Sequence, residues 1–98
     1  MSYNTRLVQA RPNTNVSFFH PSDAVVAKLE EFKAQGKILS INLNQLSEDN
    51  LTKTMSVVYN TADDFATCVA DQTLAESATA RTGHCSANNI SFSLETDF

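Results

Sequence analysis

Basic residues, long apolar runs, glycine, proline and cysteine are all scarce in this chain, and each scarcity narrows what it can be. Seven Lys and Arg stand against eleven Asp and Glu, for a formal charge of −4, and nowhere are the cations gathered into a patch. The electrostatic footprint of a nucleic-acid binder is missing, so a phosphate backbone is not an expected partner. No apolar run approaches the length needed to span a bilayer, and Met1 is not followed by a basic and then an apolar segment. The expectation is a cytoplasmic protein with no membrane partner. Two glycines and two prolines, with 42% hydrophobic and 18% charged residues, fit a globular chain and not a disordered one. Cys68 and Cys85 are too few to staple a secreted mini-domain and are read as free thiols, not as a disulfide pair. The Asn-x-Ser/Thr matches at Asn15, Asn50 and Asn89 are what chance yields where Ser and Thr make up 20 of 98 residues.

What is present is a clear alternation of periods. The length is that of one domain over residues 1–98, able to bury about 60 to 65% of its unfolded surface around one modest core. Thr5 to Ala10 and Val16 to Phe19 read as extended, with Pro12 between them. Pro12 cannot donate to a ladder, which leaves a hairpin or, preferred here, one long strand broken by a bulge. Ser22 is placed to cap a helix whose Val25, Val26, Leu29 and Phe32 form an apolar stripe and which Gly36 ends. From Leu39 the period becomes two, with Leu39, Ile41 and Leu43 on one face and Ser40, Asn42 and Asn44 on the other. Turn residues Ser47 to Asn50 bring the chain back as a strand from about Leu51 to Tyr59. At Asn60-Thr61 the strand hands over to a helix, with Thr61 as cap, Asp63 and Asp64 in the first turn and Phe65 expected between helix and sheet. This second helix reaches at least Asp71 and continues, past a break near Gln72-Thr73, toward Ala80, with Gly83 as its terminator. Ile90, Phe92 and Leu94 then alternate with Ser91, Ser93 and Glu95 in a last strand.

The order β-α-β-β-α-β predicts an α+β, ferredoxin-like domain, a four-stranded antiparallel sheet with two helices on one face. The helices cover the face carrying Leu39, Ile41, Leu43, Ile90, Phe92 and Leu94. The other face collects Ser40, Asn42, Asn44, Thr52, Thr54, Ser56, Ser91 and Ser93, small and almost uncharged. An open sheet face of this kind lacks the charges that keep a solvated surface apart, so a homodimer through Asn42, Ser56, Thr54 and Ser93 is expected.

Few constellations carry chemistry. His20, Cys68, His84 and Cys85 could supply metal ligands, but no pair has the close spacing of a zinc or haem site, and no metal is expected. Cys68 lies two turns into its helix, beyond the reach of the dipole that would activate a thiol, and reads as a small core residue. His84 and Cys85 read as residues of a helix-to-strand loop. Phe18, Phe19 and Tyr59 lack the Lys and Arg companions of a base-stacking surface and read as core. If the fold holds a small-molecule pocket between helices and sheet, Tyr59, His20 and Cys68 are the residues expected near it.

The run Tyr59-Asn60-Thr61-Ala62-Asp63-Asp64-Phe65 resembles the strand-to-helix signature of the dimeric α+β barrel superfamily, the antibiotic-biosynthesis-type monooxygenases and their relatives. The resemblance implies a dimeric barrel of two facing sheets, in a group where some members bind or degrade small aromatic molecules or haem. Laid on the haem-degrading branch, the helical tryptophan falls at Cys68 and the ligating histidine at Ala78, so haem chemistry is not expected and no cofactor is assigned. Arg11-Pro12-Asn13-Thr14 with Phe18-Phe19 looks like short proteins of marine cyanobacterial viruses. The reading is a dimeric, non-catalytic binding or interaction module with a small-molecule ligand as candidate partner. A cofactor-free monooxygenase and an acidic regulatory partner protein are the rivals.

Overall fold

The computed structural model describes residues 2–98. Its elements are β1 (Tyr3–Ala10), α1 (Asp23–Ala34), β2 (Ile38–Leu46), β3 (Thr52–Tyr59), α2 (Ala62–Val69), α3 (Gln72–Ala87) and β4 (Ser91–Thr96). The sheet order is β2-β3-β1-β4 with every pairing antiparallel, so the fold is ferredoxin-like, β-α-β-β-α-β, with its second helix broken in two. No helix among the described residues is long and apolar enough to cross a membrane.

Local chemistry accounts for most boundaries. Ser22 Oγ accepts from Val25 N–H at the start of α1. Gly36 takes φ of +80° just past the other end, where Gly36 N–H bonds Lys33 O and Lys37 N–H bonds Phe32 O, closing the left-handed stop that favours glycine. Thr61 Oγ1 accepts from Asp64 N–H at 3.0 Å and donates to Asp64 Oδ2, the reciprocal cap expected at the junction. Val25, Leu29 and Phe32 of α1 pack with Ile38, Tyr59 and Cys68 to form the core, and Phe65 joins it between Tyr3 and Tyr59, with ring centroids 4.9 and 5.2 Å away.

Four expectations are corrected. Val16 to Phe19 is neither the second arm of a hairpin nor the continuation of a bulged strand. β1 already pairs with β3 and β4 on its two sides, and the Gln9 side chain takes the place of a ladder by donating to Phe19 O at 3.0 Å and accepting from Phe19 N–H at 2.9 Å. The register of β2 shifts between Ile38 and Ser40, so Ile38, not Leu39, joins Ile41 and Leu43 against the helices, and Leu39 is exposed. Gly83 lies inside α3. The helix ends at Asn88 and Asn89, the latter at φ of 57°, with Ile90 N–H bonding Cys85 O, because asparagine also tolerates the left-handed conformation. His84 and Cys85 therefore belong to the last turns of α3, and Cys85 is buried.

The helices cover their face of the sheet unevenly. Phe92 and Leu94 on the edge strand β4 remain 37% and 53% exposed. On the opposite face, Asn42, Ser56, Arg6 and Glu95 form one row across the sheet, and Thr54, Val8 and Ser93 stand together in the next. That face is less neutral than the alternation of β2, β3 and β4 alone implies, because β1 adds Arg6, ion-paired with Glu95.

Candidate functional site

The alternation of β1 and β3 aims Thr5, Leu7, Met55, Val57 and Tyr59 at the helices. Between these side chains and the helices lies a cleft of about 320 Å³, a size at the lower end of small-molecule sites. Phe65, Leu74 and Leu94 extend its apolar walls, and its polar groups come from Thr5, Tyr59, Ser77 and Arg81. The Thr5 hydroxyl donates to Val57 O at 2.8 Å, which ties its hydrogen to the sheet. Burial, reinforced by nearby Cys68, pushes the Tyr59 phenol up to about 12, so at neutral pH it is a donor and never a phenolate.

The structure does not bring Tyr59, His20 and Cys68 together. Tyr59 is on the cleft wall. Cys68 is completely buried behind it in the core, with its thiol pushed up by burial despite the opposing pull of Lys37. His20 is exposed and lies outside the cleft, along a second hollow that shares Phe19, Val25 and Ser77 with the first, and its Nδ1 faces Lys53 Nζ at 3.0 Å. Both cysteines are free thiols. Among the described residues no three His, Cys, Asp or Glu side chains gather where they could hold a metal ion.

Sequence reasoning missed Arg81. It sits on α3 seven residues after Leu74 and three after Ala78, a helical spacing that sets it on the wall shared with both, and this spacing was the available signal. Its guanidinium lies 5.3 Å from the Phe92 ring centroid, and its Nε is buried without a hydrogen-bond partner among the described residues. Burial pushes its pKa down from the ordinary arginine value, with Cys85 opposing the shift.

No protein-family model and no curated protein sequence matches the chain. Solved structures do. SnoaB, a cofactor-independent oxygenase from Streptomyces nogalater, is 14% identical and superposes with a TM-score of 0.62 over 97% of this chain and 89% of its own. An antibiotic-biosynthesis-monooxygenase-like protein from Caulobacter crescentus is 11% identical, with a TM-score of 0.63 over 98% of this chain and 89% of its own. A dimeric ferredoxin-like protein from an uncultured marine organism, 11% identical, gives 0.58 over 97% and 92%. The likeness to cyanobacterial viral proteins finds no support in these matches. At such identities the agreement concerns the fold, and it extends over nearly the whole chain: this protein has the ferredoxin-like fold of the antibiotic-biosynthesis-monooxygenase-like proteins.

Proposed function

We propose that this protein is a homodimeric binding module that takes one small, largely apolar molecule per protomer into the cleft between sheet and helices. The cleft carries the reading: apolar walls from Leu7, Val57 and Phe65, interrupted by few polar groups, are the usual make-up of a small-molecule site. Tyr59 is the proposed contact for a polar edge of the ligand. Cys68 backs Tyr59 from the core, and His20 borders the neighbouring hollow. The ionisable groups on the walls are a phenol and a guanidinium, neither of which accepts a proton at neutral pH, and this favours binding over proton abstraction. The dimer is supported by the sheet face opposite the helices and by the dimeric ferredoxin-like protein of the same fold.

A second reading, cofactor-free oxygenation of a small aromatic molecule, is favoured by the near-complete overlap with SnoaB. Oxygen uptake with a naphthalenediol, measured above its autoxidation, separates the two. Binding itself is tested with the neutral fluorophore N-phenyl-1-naphthylamine. Saturable enhancement is expected for the native chain and should be lost on Ala78→Phe, which fills the cleft from α3, while the circular dichroism spectrum stays unchanged. Absence of saturable binding by the native chain would overturn the cleft as a ligand site.

A further inference from the structure

We infer that the cleft recognises its ligand by a carboxylate, which docks on the unpartnered guanidinium of Arg81; this rests on the cleft being a ligand site. The distribution of acceptors among the cations points there. Arg6, Arg11, Lys28, Lys37 and Lys53 are the other Lys and Arg residues partly or wholly withdrawn from water, and each has an acceptor. Arg6 faces Glu95, Arg11 donates to Asn50 O and Val16 O, and Lys28 meets Glu31 and Asp71. Lys37 donates to Gln35 Oε1, and Lys53 faces His20 Nδ1. Arg81 has none: its Nε is buried without a hydrogen-bond partner, and among the described residues its guanidinium makes no ion pair. A charged group held partly out of water without an acceptor is costly, and Arg81 lines the cleft, which makes an acceptor supplied through the cleft the economical completion of this site.

The surroundings narrow the acceptor's chemistry. The planar fork of a guanidinium matches a carboxylate through two parallel hydrogen bonds. Among the described residues Arg81 is the one cation on the cleft wall, alongside Leu74, Leu94 and Met55, so a phosphate dianion would remain undercompensated whereas a carboxylate is matched in charge. The Ser77 hydroxyl, one helical turn before Arg81 on the same wall, is a further donor for the anion. The apolar walls then take the ligand's body, so the ligand class is a small, flat, largely hydrocarbon monocarboxylate.

The test compares 2-naphthoate with 2-naphthamide, which share a body and differ in charge, by calorimetry at neutral pH. The native chain should bind the naphthoate about tenfold more tightly. Arg81→Gln should abolish that preference while retaining the amide, and Arg81→Lys, which keeps the charge but loses the fork, should keep only part of it. Because a variant at a partly buried site can misfold, the native protein supplies a second readout. The Arg81 Nε–H resonance in a nitrogen-15 correlation spectrum should move on adding naphthoate and stay in place with naphthamide. Equal affinities in the native chain, or a preference that survives Arg81→Gln, overturns the carboxylate anchor. If N-phenyl-1-naphthylamine still binds, only the anchor falls; if neither it nor the naphthalenes bind, the cleft falls with it.

Discussion

Lys53 is the most deeply buried cation among the described residues. Its register partner on β1 is Gln9, itself fully buried, and Lys53 is only 5% exposed, with a histidine nitrogen beside its ammonium and, among the described residues, no carboxylate. Burial pushes its pKa below the ordinary 10.5, which means that the folded chain holds this proton less tightly than the unfolded chain does. The desolvation cost is present in full at neutral pH, where both states are charged. It is relieved as the pH rises through the folded value toward the unfolded one, so this residue's contribution makes stability increase with pH in that window. Lys53→Met removes the charge and keeps the length. It should stabilise the protein by up to about 1 kcal/mol at pH 7, and the gap from the native chain should shrink toward pH 10. Denaturant titrations at several pH values measure both effects. A variant less stable at every pH would show that the contact with His20 outweighs the desolvation. Lys53 was silent in the sequence because its place in β3 looks like the start of an exposed edge, and only the Gln9-anchored loop over that end of the sheet takes it from water.

At the scale of elements, the break between α2 and α3 comes from capping. Asp71 Oδ1 accepts from Thr73 N–H at 2.9 Å and starts a new helix immediately after α2 closes at Ala70. The sequence reading, a break near Gln72-Thr73, lies within a residue or two of it. It misplaced the end of α3, because glycine is the commonest stop signal but only the geometry reveals whether it is used as one. Gly83 has no left-handed backbone, and a Cβ built on it would meet nothing within 4 Å. Gly83→Ala should therefore raise stability by about 0.5 to 1 kcal/mol, through lower entropy of the unfolded chain and better helix propensity. Thermal melting checks it, and a lower midpoint would mean that the glycine is needed for close approach of a second molecule.

At the scale of the whole molecule, the dimensions of 38 × 25 × 18 Å describe a flat body, one sheet thick plus one layer of helices. One sheet face therefore has no covering layer of its own. Asn42 and Ser56 are direct partners across β2 and β3 on that face, with Thr54 and Ser93 in the adjoining row. Hydrogen bonds and trapped water between two such faces would suit a two-fold contact. Sedimentation equilibrium at micromolar concentration should give a dimer for the native chain and a monomer for the double variant Asn42→Lys with Ser56→Lys, since the lysines would be forced together in a desolvated layer. A monomeric native chain would refute the barrel. A dimer indifferent to both lysines would move the interface elsewhere.

What the sequence by itself determined is what neighbouring residues decide among themselves. The alternation in β2, β3 and β4, the caps at Ser22, Thr61 and Gly36 and the strand-to-helix handover at Tyr59 to Phe65 each act within a few residues, and together they specify the ferredoxin-like order. Tertiary structure decided whatever depends on partners far along the chain. Leu39 faces outward because β3 accepts β2 only with a bulge, and the segment before α1 is not a strand because Gln9 claims Phe19. Tyr59 is separated from His20 because His20 meets β3 at Lys53, the end of the strand opposite Tyr59. The isolation of Arg81 is the clearest case. A cation's lack of an acceptor is a property of everything around it, and residues as distant as Thr5 and Leu94 enclose the cleft on which Arg81 opens.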